Sequence, residues 1–259
     1  MDKKISIITV VLNNKNGLQA TMDSVFAQTY KNYEYIVIDG GSTDGSCDVI
    51  KQHEEKLHYW SSERDRGIYQ AMNKGWHRAT GEYCIFLNSG DYFYTPDSLK
   101  NVVAALDDDM DVIYGDVMFK YQDKMVREVH EEELTLYKLY YTNIPHQGTF
   151  IKRSYLELLN GYDENYKIVS DWLFLVKGMI EHNLKIKKIN QVISVFDMYG
   201  ISNAQTHAPE RLQAIKTHYP FLVSIFKDFN ELRQYKLSSA HKLTAKLLKF
   251  KSKLLKRKV

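Results

Sequence analysis

Three short polar clusters, each placed where an apolar run stops, hold the residues best suited to chemistry. Asp39-Gly40-Gly41-Ser42-Thr43-Asp44 follows Tyr35-Ile36-Val37-Ile38, Asn88-Ser89-Gly90-Asp91 follows Cys84-Ile85-Phe86-Leu87, and Thr9 to Asn14 closes Ile5-Ser6-Ile7-Ile8. Carboxylates in such places can accept hydrogen bonds or hold a divalent cation, and glycines let a ligand approach the backbone closely. In a parallel α/β sheet the strands all point one way, so clusters at successive strand ends meet on one edge, where such sheets bind ligands. An edge of this composition suits a nucleotide diphosphate and a metal ion.

The elements that must position these clusters are readable from periodicity. Ile5 to Val11 is a continuous apolar run rich in β-branched residues, the pattern of a strand buried on both faces. Leu18, Met22, Val25 and Phe26 fall at helical spacing within Lys15 to Gln28. Glu34 to Ile38 and His58 to Ser61 read as strands, and Asp44 as the cap of a short helix leading to Ile50. Ile68, Met72, Trp76 and Ala79 share a helical face that Gly81 closes, before a strand at Tyr83 to Leu87. Thr95-Pro96 predicts a helix start, Val112 to Val117 a strand, and Asp123-Lys124 a hairpin turn. Further on, His146 to Lys152 and Lys185 to Val195 are strand-like, with an amphipathic helix at Asp171 to Glu181 between them. Strand and helix alternate over residues 1–120, which predicts an open, mostly parallel sheet flanked by helices.

A chain of 259 residues with 44% apolar and 13% aromatic content can bury a large core. The two cysteines, Cys47 and Cys84, form neither a disulfide framework nor a zinc pattern, which fits a reducing cytoplasm. No apolar stretch approaches the roughly 18–20 residues needed to span a bilayer. The net charge of +3 hides an asymmetry, because ten Lys or Arg lie beyond Glu231, the last acidic residue. Setting those ten aside from the 35 Lys and Arg leaves 25 against 32 Asp and Glu, a body of −7 ahead of a tail of +10. From Ala240 the tail sets Leu243, Leu247, Phe250 and Leu254 on one helical face beside Lys242, Lys246, Lys249 and Lys253. An apolar face next to a cationic one suits an anionic membrane surface, with a solvated helix or a partner helix as the alternatives. Nucleic acid is a poor match, since the acidic body would repel a phosphate backbone.

Taken in order, Ser6 to Asn13, Ile38 to Gly45, Asp65-Arg66-Gly67-Ile68-Tyr69-Gln70-Ala71-Met72-Asn73-Lys74-Gly75 and Phe86-Leu87-Asn88-Ser89-Gly90-Asp91 resemble the family 2 glycosyltransferases of the GT-A, Rossmann-like fold. His146-Gln147-Gly148-Thr149-Phe150 and Ser170-Asp171-Trp172 extend the resemblance toward the bacterial polysaccharide branch of that family. It implies a glycosyltransferase domain over 1–205, with a nucleotide-binding part (1–120) and an acceptor and catalytic-base part (121–205). A helical extension with the basic tail follows at 206–259. The implied activity is inverting, non-processive, metal-dependent transfer from a nucleotide sugar, expected to be a UDP-sugar, to a lipid-linked glycan acceptor in surface polysaccharide synthesis. Such a protein would be cytoplasmic and peripheral at the inner face of the membrane. The alternative is a nucleotide-binding or membrane scaffold that kept the fold and lost catalysis.

The resemblance also assigns residues. Asp91 aligns with the end of the Asp-x-Asp type signature and is the expected ligand of Mn²⁺ or Mg²⁺, although Gly90 stands where many members place another acid. Asp171, at a helix start, is the expected general base. Asp39 would accept a hydrogen bond from the nucleobase, while Thr9, Val10 and Asn13 border base and ribose and Gly41, Ser89 and Gly90 shape the donor loops. Asp65 precedes Arg66, and Arg66 or Lys74 is expected to face the phosphates, because Met72 stands where many members have arginine. Asp116 would line the donor sugar pocket, and His146 could ligate the metal, bind phosphate or support the sugar.

Overall fold

The computed structural model describes residues 3–130, 132–198 and 207–238. Its centre is a nine-stranded sheet. Strands β1 (Ile5–Val11), β2 (Tyr33–Asp39), β3 (Tyr59–Ser62) and β4 (Tyr83–Phe86) lie in the order β3-β2-β1-β4 and all run parallel. Every residue of β1 is buried, as expected of a strand covered on both faces. Helices α1 (Lys15–Phe26), α2 (Ser46–Gln52) and α3 (Ile68–Trp76) make the crossovers that parallel strands require. Leu18, Met22 and Val25 of α1 are fully buried, each worth about 1.5–3 kcal/mol in transfer from water. Helix α3 lies so close to β1 that a Cβ on Gly75 would stand 2.4 Å from Ile8 Cγ2.

Beyond β4 the sheet is mixed rather than mostly parallel. It continues through β8 (Thr149–Lys152), β6 (Val112–Lys120), β9 (Ile186–Asp197) and β5 (Tyr92–Phe93). There β8 is antiparallel to both neighbours, β9 is parallel to β6, and β7 (Met125–Glu128) folds back on β6 across the expected hairpin turn. Helix α4 (Ser98–Ala105) starts later than Thr95-Pro96 suggests, with Asp97 at its N-cap; Thr95 and Pro96 form the preceding turn, in which Ser98 N–H bonds Thr95 O at 3.1 Å. Asp44 stands one residue ahead of the α2 cap, where Gly45 has φ 92°. Helices α5 (Leu136–Tyr141), α6 (Arg153–Leu159) and α7 (Ser170–Glu181) complete this part of the chain.

At the edge opposite the polar loops, one buried carboxylate ties three segments together. Glu34 of β2 accepts from Ser6 Oγ at 2.6 Å, Thr80 Oγ1 at 2.6 Å and Gly81 N–H at 3.2 Å, and pairs with Lys4 Nζ at 2.6 Å. Burial pushes its carboxyl up, but the Lys4 contact and the Ser6 and Thr80 hydrogen bonds outweigh this and bring it down to about 2.

By packing, the chain divides into two units, 1–207 and 208–259. Helices α8 (His207–His218) and α9 (Leu222–Leu237) contribute the buried side chains Ala214, Ile215, Leu222 and Phe226, and the turn between them contributes Tyr219. The amphipathic basic stretch expected from Ala240 lies outside the described residues. Among the described residues, no helix is long and apolar enough to cross a membrane.

Candidate active site

The loops that close β1, β2 and β4 are stitched to one another. Asn13, whose φ of 50° is one an asparagine tolerates, donates its N–H to Ser42 Oγ at 2.8 Å and accepts from Thr43 N–H at 2.8 Å through Oδ1. Asn14 caps α1 by accepting from Gly17 N–H and donates Nδ2–H to Ser89 O at 2.9 Å. Lys15 N–H bonds Asp44 Oδ2 at 2.8 Å. Ser89 N–H reaches Val10 O and Gly40 N–H reaches Val11 O, so the loops leave the sheet in register. Asp39 is fully buried: it accepts from Gly41 N–H, from Ser42 N–H and, at 2.6 Å, from Ser62 Oγ, which shapes the glycine turn from beneath.

Asp91 lies at the mouth of this edge, 4% exposed. The preceding Gly90 has φ 105°, a backbone state in which any side chain is strained, so glycine suits this position. Thr21 of α1 supports the pair, accepting from Gly90 N–H and donating to Asp91 O. Asp91 Oδ2 accepts from Gln147 Nε2 at 2.9 Å and Oδ1 from Asp197 N–H at 3.2 Å. Burial pushes its carboxyl up to about 7, against the pull of His146 and of the Gln147 and Asp197 hydrogen bonds.

Asp171, in the first turn of α7, is held differently. Its Oδ1 accepts from Trp172 N–H at 2.8 Å and from the Tyr69 hydroxyl at 3.1 Å, and its Oδ2 meets His146 Nδ1 at 3.2 Å. Burial raises its carboxyl, but the hydrogen bond and charge of His146 lead the groups that bring it below the ordinary value.

Several of the expected site residues already have partners within the protein. Thr9 is fully buried with its hydroxyl 3.0 Å from that of Tyr35, so its side chain belongs to the core and only its backbone is left to border a ligand. Lys74 is committed to carboxylates, with Glu63 Oε1 at 2.8 Å and Asp65 Oδ1 at 2.5 Å, while the Arg66 side chain is 83% exposed and meets Glu164. The phosphate cation expected of this pair is therefore not preassembled. Asp116 is fully buried within β6, bonded to Arg127 Nη2 at 2.7 Å and to Lys188 Nζ at 3.3 Å, so its carboxylate anchors the β6–β7 hairpin. His146 has both ring nitrogens engaged, Nδ1 by Asp171 and Nε2 by Asn88 Nδ2 at 2.9 Å, which holds the ring beside the Asp171 carboxylate.

Asp65 lies beside the glycine turn after β2, with Oδ2 3.4 Å from where a Cβ on Gly40 would stand. Burial pushes its carboxyl up; Lys74 opposes this, and Glu63 and Asp39 add to it. Met72 is fully buried, so its side chain packs in the core.

Sequence reasoning did not assign Gln147, Asn88, Tyr69 or Asp197. Asp197 carried the same signal as the others, a carboxylate closing the apolar run Val192-Ile193-Ser194-Val195-Phe196. Gln147 is 2% exposed and bonds across the sheet, which no local pattern announces.

Comparison with known proteins agrees with this arrangement. The family model "Glycosyl transferase family 2" matches residues 6–170. A PGL/p-HBAD biosynthesis glycosyltransferase of Mycobacterium tuberculosis is 30% identical over 200 residues, covering 75% of this chain and 77% of the relative. An uncharacterized glycosyltransferase of the same species is 32% identical over 226 residues, covering 84% and 86%. Among solved structures, S. aureus TarS 1-349 in complex with UDP-GlcNAc has a TM-score of 0.68 at 20% identity, covering 83% of this chain. This chain spans 65% of the length of that TarS fragment. The mannosyltransferase PcManGT from Pyrobaculum calidifontis, in complex with GDP-Man and Mn2+, has a TM-score of 0.61 at 18% identity, covering 85% of this chain and 64% of its own. The motifs, the GT-A-like fold and the relatives converge: the chain is a glycosyltransferase and belongs to glycosyl transferase family 2.

Proposed function

We propose that the chain moves one sugar, with inversion, from a UDP-sugar to a hydroxyl of a lipid-linked glycan, with Asp171 as general base and Asp91 on the leaving-group side. One observation carries this reading: two buried carboxylates whose environments push them apart. Asp171 is held below its ordinary value and stays ionised to take a proton, whereas Asp91 is pushed up to about 7. Opposed shifts of this kind assign different roles to paired acids.

The residues present fit a divalent cation. Asp91 is a buried carboxylate whose hydrogen-bond donors among the described residues are the neutral amides of Gln147 and Asp197, and burial disfavours its charge without a cation. Among the described residues no three His, Cys, Asp or Glu converge to hold a metal, so diphosphate oxygens would complete the shell. That is the usual arrangement for Mg²⁺ held by one or two carboxylates. Asp91, with Asp197 beside it, would hold Mn²⁺ or Mg²⁺, which when bound stabilises charge on the departing diphosphate.

The chain's own residues do the rest. The glycine turn built on Asp39, with Asn13 and Asp65 alongside, receives the nucleoside. Asp171 takes the hydroxyl proton as the acceptor oxygen attacks the anomeric carbon and the bond to the phosphate oxygen breaks. A single displacement of this kind inverts the anomeric centre. TarS, solved with UDP-GlcNAc, supports UDP as the carrier, and PcManGT, solved with GDP-Man and Mn2+, supports a metal. The basic stretch beyond Glu231 supports a lipid-linked acceptor at an anionic membrane surface. The test is UDP release from a UDP-sugar panel with membrane lipid extracts as acceptor, comparing wild type with Asp171→Asn. Loss of transfer with UDP binding retained is expected, and normal transfer would remove the base assignment.

A further inference from the structure

The His146-Gln147-Gly148 turn lies between the two carboxylates and touches both. His146 Nδ1 meets Asp171 Oδ2 at 3.2 Å, and the next side chain, Gln147 Nε2, meets Asp91 Oδ2 at 2.9 Å. The turn itself is firmly seated. Gln147 O accepts from Ser194 Oγ at 2.7 Å, Thr149 Oγ1 closes back on Pro145 O at 2.9 Å, and a Cβ on Gly148 would stand 2.5 Å from Val117 Cγ2. Behind His146, Asn88 Nδ2 meets Nε2 at 2.9 Å, and Asn88 follows directly on the strand run that leads to Asp91.

We propose that His146 is the positioning residue of the base: fixed by Asn88, it donates Nδ1–H to Asp171 Oδ2 and holds that carboxylate in place for the acceptor hydroxyl. The proposal rests on the glycosyltransferase reading and adds the atom that takes the proton. A carboxylate oxygen offers two lone-pair sites. Oδ1 of Asp171 already accepts from Trp172 N–H and the Tyr69 hydroxyl, while among the described residues Oδ2 accepts only from His146, so Oδ2 has the site left for the acceptor. In the transfer step the hydroxyl proton goes to Oδ2, the acceptor oxygen bonds to the anomeric carbon, and the electron pair of the breaking bond leaves with the diphosphate.

Asn88 sets the histidine tautomer. With an amide N–H donated to Nε2, the ring hydrogen must lie on Nδ1, the nitrogen that faces Asp171. The groups that face the base are His146, Tyr69 from α3, Tyr162 and the Trp172 N–H, and His146 also feels Asp91. Since His146 leads the interactions that lower Asp171, its loss moves the Asp171 titration upward.

The experiment is NMR of the full chain labelled at aspartate carboxyl carbons and histidine ring nitrogens, needing no substrate, in wild type, His146→Ala and His146→Gln. A hydrogen on Nδ1 of His146, alone or with one on Nε2, and an upward move of Asp171 in His146→Ala that His146→Gln partly reverses, are expected. Nδ1 without hydrogen, or an Asp171 titration indifferent to both variants, would overturn the proposal. Turnover gives the second readout: the acid limb of kcat moves up in His146→Ala and kcat falls about tenfold, with donor KM unchanged. A variant that merely lost structure would change donor KM and melting together and leave the limb where it was. UDP titration of the same samples separates this outcome from failure of the glycosyltransferase reading, which predicts UDP binding in all three.

Discussion

Glu34 provides a quantitative test of the fold's polar anchor. Its side chain is 2% exposed and its carboxyl lies at about 2 instead of 4.5, a displacement of about 2.5 units. At about 1.4 kcal/mol per unit, the ionised form contributes roughly 3 kcal/mol to folding. The sign follows from the depressed value: the contribution is complete above about pH 4.5, where the unfolded chain is also ionised, and is lost as pH falls toward 2. Glu34→Gln keeps the shape and most acceptors for Ser6 and Gly81 but ends the pairing with Lys4 Nζ. Urea unfolding followed by tyrosine and tryptophan fluorescence, from pH 7 down to pH 3, reads the difference between the two proteins. The variant should be less stable by about 2–3 kcal/mol at pH 7, with the gap closing on acidification. A gap that stays constant with pH, or no gap, would refute the claim that an ionised Glu34 locks β2 to Ser6 and the Thr80-Gly81 turn.

Other expectations concern the site. Asp171→Asn should lower kcat by about 10²–10⁴-fold with nucleotide affinity unchanged, checked by turnover beside calorimetry. Lys74→Met removes the cation shared by Asp65 and Glu63, so UDP affinity should fall while melting stays near wild type; unchanged affinity would place Asp65 outside the nucleotide site. Gly148→Ala brings a methyl against Val117 and should cost about 1–3 kcal/mol in urea unfolding while lowering kcat through the displaced His146-Gln147 pair.

How far residues could be placed from sequence depended on the range of the forces that place them. Asp91 and Asp171 were legible because a carboxylate closing an apolar run and one opening a helix are local signals. Asp39 was legible as a strand end, but not its bond to Ser62, which depends on how β3 aligns with β2. Thr9 looked like part of the polar edge, yet its partner Tyr35 is set by cross-strand register. Asp116 seemed to end its strand at Val117, whereas β6 runs on to Lys120 and the hairpin returns Arg127 against it. The antiparallel entry of β8 was also beyond local pattern, since a short apolar run reads the same in either direction. Gln147 and Asn88 depend on contacts spanning 56 and 58 residues of sequence, which neither composition nor period encodes.

The central claim is that the edge formed by β1, β2 and β4 is a nucleotide-diphosphate site with a cation at Asp91. Calorimetric titration of the full chain with UDP, with and without Mn²⁺, tests it most directly. Saturable UDP binding is expected, strengthened by Mn²⁺ and made indifferent to the metal by Asp91→Ala. Absence of UDP binding with Mn²⁺ present, or binding of equal strength with and without it, would contradict the claim.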